Sequence, residues 1–74
     1  MTTAALLAEH ERIVDELIGA RLRAGLDGKQ LAGKMGACPT TVSNIDRLAK
    51  FPSLSTLIRY ADAVGRRIEL VGKP

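Results

Sequence analysis

The sequence predicts a small all-α domain of four helices, with room for a fifth, and a short β-strand at its C-terminal end. Three features carry that prediction. Apolar residues recur at three-and-four spacing in four separate runs. Gly25, Gly36, Gly65, Pro39 and Pro52 punctuate the gaps, and only the last run, "RRIELV", alternates with a period of two. With 74 residues the chain reads as one domain, 1–74, with its core in 9–65 and a strand and tail in 66–74. That length is near the lower limit for folding on a private core. One Phe, one Tyr and no Trp leave small aliphatic side chains to fill it, which suits helices in close contact and support from a partner.

Thr2 or Thr3 can cap the first helix. Leu6, Leu7, His10, Ile13, Val14, Leu17, Ile18 and Leu22 then form one apolar stripe, with Glu9, Glu11, Arg12, Asp15 and Glu16 mostly opposite. Gly25 ends it at a left-handed position. Asp27 is a good N-cap for a second helix, Gly28 to Met35, whose Leu31, Ala32 and Met35 face inward. Gly36 breaks that helix. Cys38 stands at the next N-cap, and Pro39 takes the first helical position, where a missing N–H costs nothing. The third helix is expected over 39–48, with Val42 and Ile45 inward. Ser53 caps a fourth helix through Val64 that buries Leu54, Leu57, Ile58, Ala61 and Val64, and Gly65 closes it. In the tail, Ile68 and Leu70 alternate with Glu69 and Val71.

Net charge is +3, but its distribution says more. Residues 1–20 carry −3, residues 21–50 carry +4 and residues 51–74 carry +2. An acidic first helix leading into a basic middle is the asymmetry of a face that meets a polyanion. Solvated basic faces look the same, so charge alone does not decide. One Cys excludes an intrachain disulfide and argues against a secreted, stapled fold. No apolar run is long enough to span a bilayer, and "MTTAALLAEHERIVDEL" turns acidic too soon for a signal peptide. The expectation is a soluble intracellular protein. Nucleophile–base pairs, carboxylate pairs and phosphate-cradling Gly loops are absent from the sequence, so no enzyme, cofactor or metal is expected. Cys38 reads as a small turn residue rather than a reactive thiol or ligand, and His10 as a boundary core residue rather than a base. Tyr60 reads as packing with its hydroxyl at the surface.

Helix two, a turn centred on Gly36 and helix three make a helix-turn-helix arrangement, and the reversal at Gly36 asks for a positive backbone angle. "LDGKQLAGKMGACPTTVSNIDR" resembles the Cro/CI-type (Xre) helix-turn-helix of phage repressors and many bacterial regulators. Leu31 and Ala32, Gly36 in the turn, Thr41, Val42 and Ser43, and Ile45 with Asp46 carry the likeness. "PSLSTLIRYADAVG" resembles the family's next helix, so Arg21 to Gly65 is covered, and "RRIELV" looks like the C-terminal strand of Cro proteins and of some HigA-type antitoxins. Ala-x-x-x-Gly alone is common in helices; the ordered set gives the likeness its weight. Two positions depart from the pattern. Gly28 stands where the family usually has a phosphate-touching Gln, and Cys38 where it has a Ser or Thr cap.

The resemblance implies a lambda-repressor-like fold and a sequence-specific, duplex-DNA-binding transcriptional regulator, a repressor of phage Cro/CI type working in the cytoplasm of a bacterial cell, on the nucleoid. Helix 39–48 would read the major groove. In the family's register Pro39, Thr40, Ser43 and Asn44 face the bases, where small polar side chains keep the helix slim and offer donors and acceptors. Asn44 can bond an adenine at N6 and N7, and Thr40 can meet a thymine methyl. Gly28, Lys29, Thr41, Arg47 and Lys50 would hold the DNA backbone. Arg21 and Asp46 resemble a paired arginine and acid that lock the recognition helix to the scaffold. One alternative is an antitoxin that binds a toxin and represses its own operon. The other is an interaction module that keeps the fold without DNA contact. The missing helix-two Gln favours the module, while Lys29, Lys34, Arg47 and Lys50 around the turn weigh against it. A lone strand exposes unpaired N–H and C=O groups. "RRIELVG" is therefore expected to pair antiparallel with its copy in a homodimer, with Ile68 and Leu70 at the interface. That would set two recognition helices roughly 34 Å apart on a near-palindromic site. The alternative is a monomer whose tail folds back on helix four or helix one.

Overall fold

Helix limits follow from capping chemistry in the computed structural model, which describes residues 1–72. The elements are α1 (Thr3–Arg23), α2 (Gly28–Met35), α3 (Pro39–Asp46) and α4 (Leu54–Ala63). Thr2 Oγ1 accepts the Ala5 N–H at 3.1 Å, and Ser53 Oγ accepts the Thr56 N–H at 3.2 Å. At α2 the satisfaction is reciprocal: Asp27 Oδ1 accepts the Gln30 N–H at 2.8 Å, and Gln30 Oε1 accepts the Asp27 N–H at 2.9 Å. That capping box was readable as Asp27-x-x-Gln30. Cys38 has the extended backbone of an N-cap but its side chain makes no capping bond. Pro39, at the first helical position, has no N–H that needs a partner, and the Thr41 N–H is satisfied by the Cys38 carbonyl at 2.9 Å.

Gly25 and Gly36, at φ 72° and 69°, close α1 and α2. The Leu26 N–H returns to the Arg21 carbonyl at 3.2 Å and the Ala37 N–H to the Ala32 carbonyl at 2.9 Å, so carbonyls left over at the helix ends are satisfied. The same closure ends α3, with Ala49 N–H bonded to the Asn44 carbonyl at 3.0 Å, but the left-handed residue is Leu48 at φ 59°. This corrects the expected helix 39–48, which stops at Asp46. A leucine in that conformation costs about 1–2 kcal/mol, and with no glycine there the sequence offers no stop signal.

α2 lies against α3 and α4, and α1 against α3. Their shared core holds Val14, Leu17 and Ala20 from α1, Leu31, Ala32 and Met35 from α2, and Val42 and Ile45 from α3. Tyr60 and Ala61 from α4, with Val64 at its end, complete it. Leu6, Leu7 and Leu22 belong to the predicted stripe but are exposed. α1 has 21 residues and is about 30 Å long, so its ends outrun the shorter helices beneath it. Leu54 and Ile58, expected inside, are 64% and 50% exposed. Leu57, Tyr60, Ala61 and Val64 form the inward stripe instead. Both sets have helical spacing, so periodicity could not choose between them.

The expected C-terminal strand is not seen. Residues 66–72 form neither strand nor helix, and the described residues contain no fifth helix. A strand needs a hydrogen-bonded neighbour, and no strand is available among the described residues. The last two residues of the expected 66–74 tail lie outside those described. Among the described residues no helix is long and apolar enough to cross a membrane.

A Cβ added at Gly36 would meet nothing within 4 Å, so Gly36→Ala isolates the backbone cost of the left-handed turn. Chemical denaturation of this variant should show a loss of about 1–2 kcal/mol. An unchanged midpoint would mean that the turn relaxes freely.

Candidate nucleic-acid interface

The candidate interface is built on a polar clamp beneath it. Arg21, in the last turn of α1, uses all three nitrogens. Nη2 meets Asp46 Oδ2 at 3.3 Å, Nη1 donates to the Leu26 carbonyl at 3.1 Å, and Nε donates to the Tyr60 hydroxyl at 3.3 Å. The Tyr60 hydroxyl in turn donates to Asp46 Oδ1 at 3.0 Å. Arg21 and Asp46 side chains are only 15% and 21% exposed, and Tyr60 is fully buried. The end of α3 is thereby pinned to α1, to the α1–α2 connection and to α4. This corrects the expectation of a Tyr60 hydroxyl at the surface: a tyrosine buried at the centre of α4 must place its hydroxyl on a partner. Burial pushes the Tyr60 hydroxyl up to about 12. The hydrogen bond from Arg21 pulls it down, and the charge and hydrogen bonding of Asp46 push it up further.

On α3, Val42 and Ile45 face the core. At 100° per residue, Thr40, Ser43, Asn44 and Arg47 then fall on the opposite side, with Pro39 and Thr41 at its edges. Pro39, Thr40 and Ser43 are exposed, while Thr41 and Asn44 are half-buried. Arg47 lies back along the helix, its Nη2 donating to Asn44 Oδ1 at 2.8 Å and its Nε to the Ser43 carbonyl at 3.4 Å.

An open depression of about 280 Å³ separates the start of α2 from this face. It brings together Gly28, Lys29, Pro39, Ser43 and Arg47 above the Arg21–Asp46 pair. Gly28 supplies no side chain to fill it; a Cβ there would meet Val42 Cγ1 at 3.9 Å, an ordinary contact. Lys50 does not join them. It lines a second groove of about 300 Å³ with Leu7, Leu48 and Phe51, where the His10 and Phe51 rings stack 4.6 Å apart. His10 is half-buried at the edge of the fold, with Nε2 covered and without a hydrogen-bond partner. Ile68 and Leu70 lie on the tail and line neither depression. Cys38 is a free, exposed cysteine at the foot of α3. Gln30, which completes the cap of α2, is the contributor that sequence reasoning passed over, and Tyr60 was read as packing without its place in the clamp.

The chain has one Tyr and no Trp, so tyrosinate absorbance reports Tyr60 alone and should titrate near 12 rather than 10. A folded-state value above the unfolded one means that the hydroxyl's contribution is fully present below pH 10 and lost as pH rises toward 12. The stability difference between the wild type and Tyr60→Phe should be flat below pH 10 and shrink above it. Asp46→Ala strands the Arg21 charge and should cost about 3–5 kcal/mol by denaturant titration. A loss below about 1 kcal/mol would show that the clamp is a solvated surface pair.

No protein-family model and no solved structure matches the chain. Two curated relatives do: the antitoxin HigA1 proteins of Mycobacterium tuberculosis strains CDC 1551 / Oshkosh and ATCC 25618 / H37Rv. Each is 41% identical over 63 residues, a match covering 85% of this chain. The chain spans 42% of the length of these relatives. Over most of its own length, then, this clamped four-helix domain is similar to part of an antitoxin.

Proposed function

We propose that this chain is the DNA-reading domain of an antitoxin-type regulator, which binds duplex DNA upstream of its own operon and neutralises a partner toxin. The observation that carries the DNA reading is the exposed, slim, polar face of α3, held on a helix that cannot roll because Asp46 is bonded on both oxygens. The likeness to antitoxin HigA1 favours the antitoxin class over the expected phage repressor.

In this reading α3 enters the major groove with Pro39, Thr40, Ser43 and Asn44 toward the base edges. Gly28, Lys29, Thr41 and Lys50 hold phosphates on either side. The Gly28 depression lets a phosphate approach the N-terminal end of α2, where backbone N–H groups and Lys29 favour an anion. Arg47 has two roles. It adds positive charge near the backbone, and its bond to Asn44 Oδ1 orients the amide so that the NH₂ points away and can meet an acceptor on a base.

The test is a binding measurement on DNA from the chain's own upstream region, across a salt series. Asn44→Ala should cost about 1–3 kcal/mol on the specific site, relax preference at one base pair and leave the salt slope nearly intact. Lys50→Ala should weaken binding to every sequence and lower the slope by about one unit. Equal loss by Asn44→Ala on specific and random DNA would remove the base-reading role. The toxin role is tested separately, by co-expression with the product of the neighbouring gene. Growth arrest that this chain does not relieve would remove it.

A further inference from the structure

Asn44 and Arg47 stand three residues apart on the outer side of α3, a spacing that makes side chains neighbours on a helix. The Arg47 guanidinium is held at two points. Nε donates to the Ser43 carbonyl at 3.4 Å and Nη2 to Asn44 Oδ1 at 2.8 Å. Both oxygens of the adjacent Asp46 are bonded to Arg21 and Tyr60, so that carboxylate does not draw Arg47 away. A guanidinium only donates, so the amide atom beside it must be the oxygen, and the Asn44 NH₂ faces elsewhere. Among the described residues neither that NH₂ nor Arg47 Nη1 has a partner. Arg47 is exposed and Asn44 half-buried, which leaves two groups at the surface that can only donate.

We propose, on the reading that α3 enters the major groove, that Arg47 is a positioning residue that sets which base Asn44 reads, turning it from adenine to guanine. An asparagine with both ends free suits adenine, because it accepts from the N6 amine and donates to N7. With Oδ1 occupied, the adenine amine must share that oxygen with a guanidinium nitrogen, donor beside donor and against a positive charge. Guanine shows two acceptors on the same edge, O6 and N7. Its N7 or O6 takes the Asn44 NH₂, and the second acceptor gains from the nearby charge, since a hydrogen bond with an ionised donor is about twice as strong as a neutral one. Cytosine offers the N4 donor and meets the same opposition as adenine. Thymine offers one acceptor, O4, beside a methyl group, and satisfies only half of the pair. The adenine pairing open to Asn44 by itself is therefore closed by one bond from the residue a turn away.

Selection of bound sites from a random duplex library tests this, run at low ionic strength so that a lost charge does not abolish binding. The position whose enrichment disappears in Asn44→Ala should hold guanine in the wild type, preferred over adenine by roughly 5- to 150-fold, the worth of one good bidentate pair. In Arg47→Ala the Asn44 oxygen is released, and adenine should replace guanine at that position alone. The double variant Arg47→Ala with Asn44→Ala should show no preference there. Loss of charge without repositioning would instead weaken all sequences alike and leave the chosen base unchanged. On the wild-type site, inosine, which keeps O6 and N7, should bind as guanine does, and 7-deazaguanine, which lacks N7, should bind more weakly. Adenine at the Asn44-dependent position of the wild type, or guanine retained there by Arg47→Ala, overturns the role of Arg47 while DNA reading stands. An Asn44→Ala profile identical to that of the wild type does the same. A wild type that enriches no sequence overturns both.

Discussion

A guanidinium placed where little water reaches it must find acceptors or destabilise the fold, and the acceptors of Arg21 define how this domain is joined. They lie on the connection after α1, on the last residue of α3 and on the buried tyrosine of α4. Tyr60 makes the arrangement complete because its hydroxyl accepts from Arg21 while donating to the second oxygen of Asp46. An arginine and an aspartate alone would leave acceptor capacity unused and a large space at the domain centre. The tyrosine ring fills that space with apolar surface and its hydroxyl closes the network. Such networks stabilise when every member is satisfied and destabilise when one is missing, so the three residues act as a unit.

The need for the clamp follows from size. α3 is only eight residues long and opens without a side-chain cap, and Val42 and Ile45 are its buried residues. A helix so short is not stable from propensity. Its position relative to α2 is set by the left-handed turn at Gly36, and its position relative to α1 and α4 by Asp46. Immediately after the clamp the chain reverses at Leu48, where a leucine holds a conformation usually left to glycine. α3 is thus held at both ends while Pro39, Thr40 and Ser43 on its outer face stay exposed. That division suits the small polar residues of "PTTVSNI": the core takes Val42 and Ile45 from this stretch and asks for no other large apolar side chain.

Much of this was legible in the chain. Threonine, aspartate and serine at N-caps, glycine at C-terminal turns and proline at a first helical position are local devices. They act within four residues of where they stand, which is why α2 falls on Gly28–Met35 as its caps indicate. The helix-turn-helix spacing, and with it the face of α3 turned away from the core, follows from the same local signals and a fixed 100° rotation per residue. The acidic start and basic middle are likewise properties of the order of residues alone.

Tertiary structure decided what local signals leave degenerate. α4 carries two apolar stripes of equal period, and only the choice of which one meets α2 puts Tyr60 at the centre and leaves Leu54 and Ile58 outside. The outer leucines of α1 look like core by pattern, yet a helix longer than its neighbours has nothing to bury its ends against. The stop of α3 at Asp46 comes from the path to α4 rather than from any residue that breaks helices. "RRIELV" alternates as a strand does, but alternation supplies faces and not a hydrogen-bonding neighbour. Local order writes helices because a helix satisfies its own backbone; faces, ends and strands depend on what lies across from them, which the chain settles only when it folds.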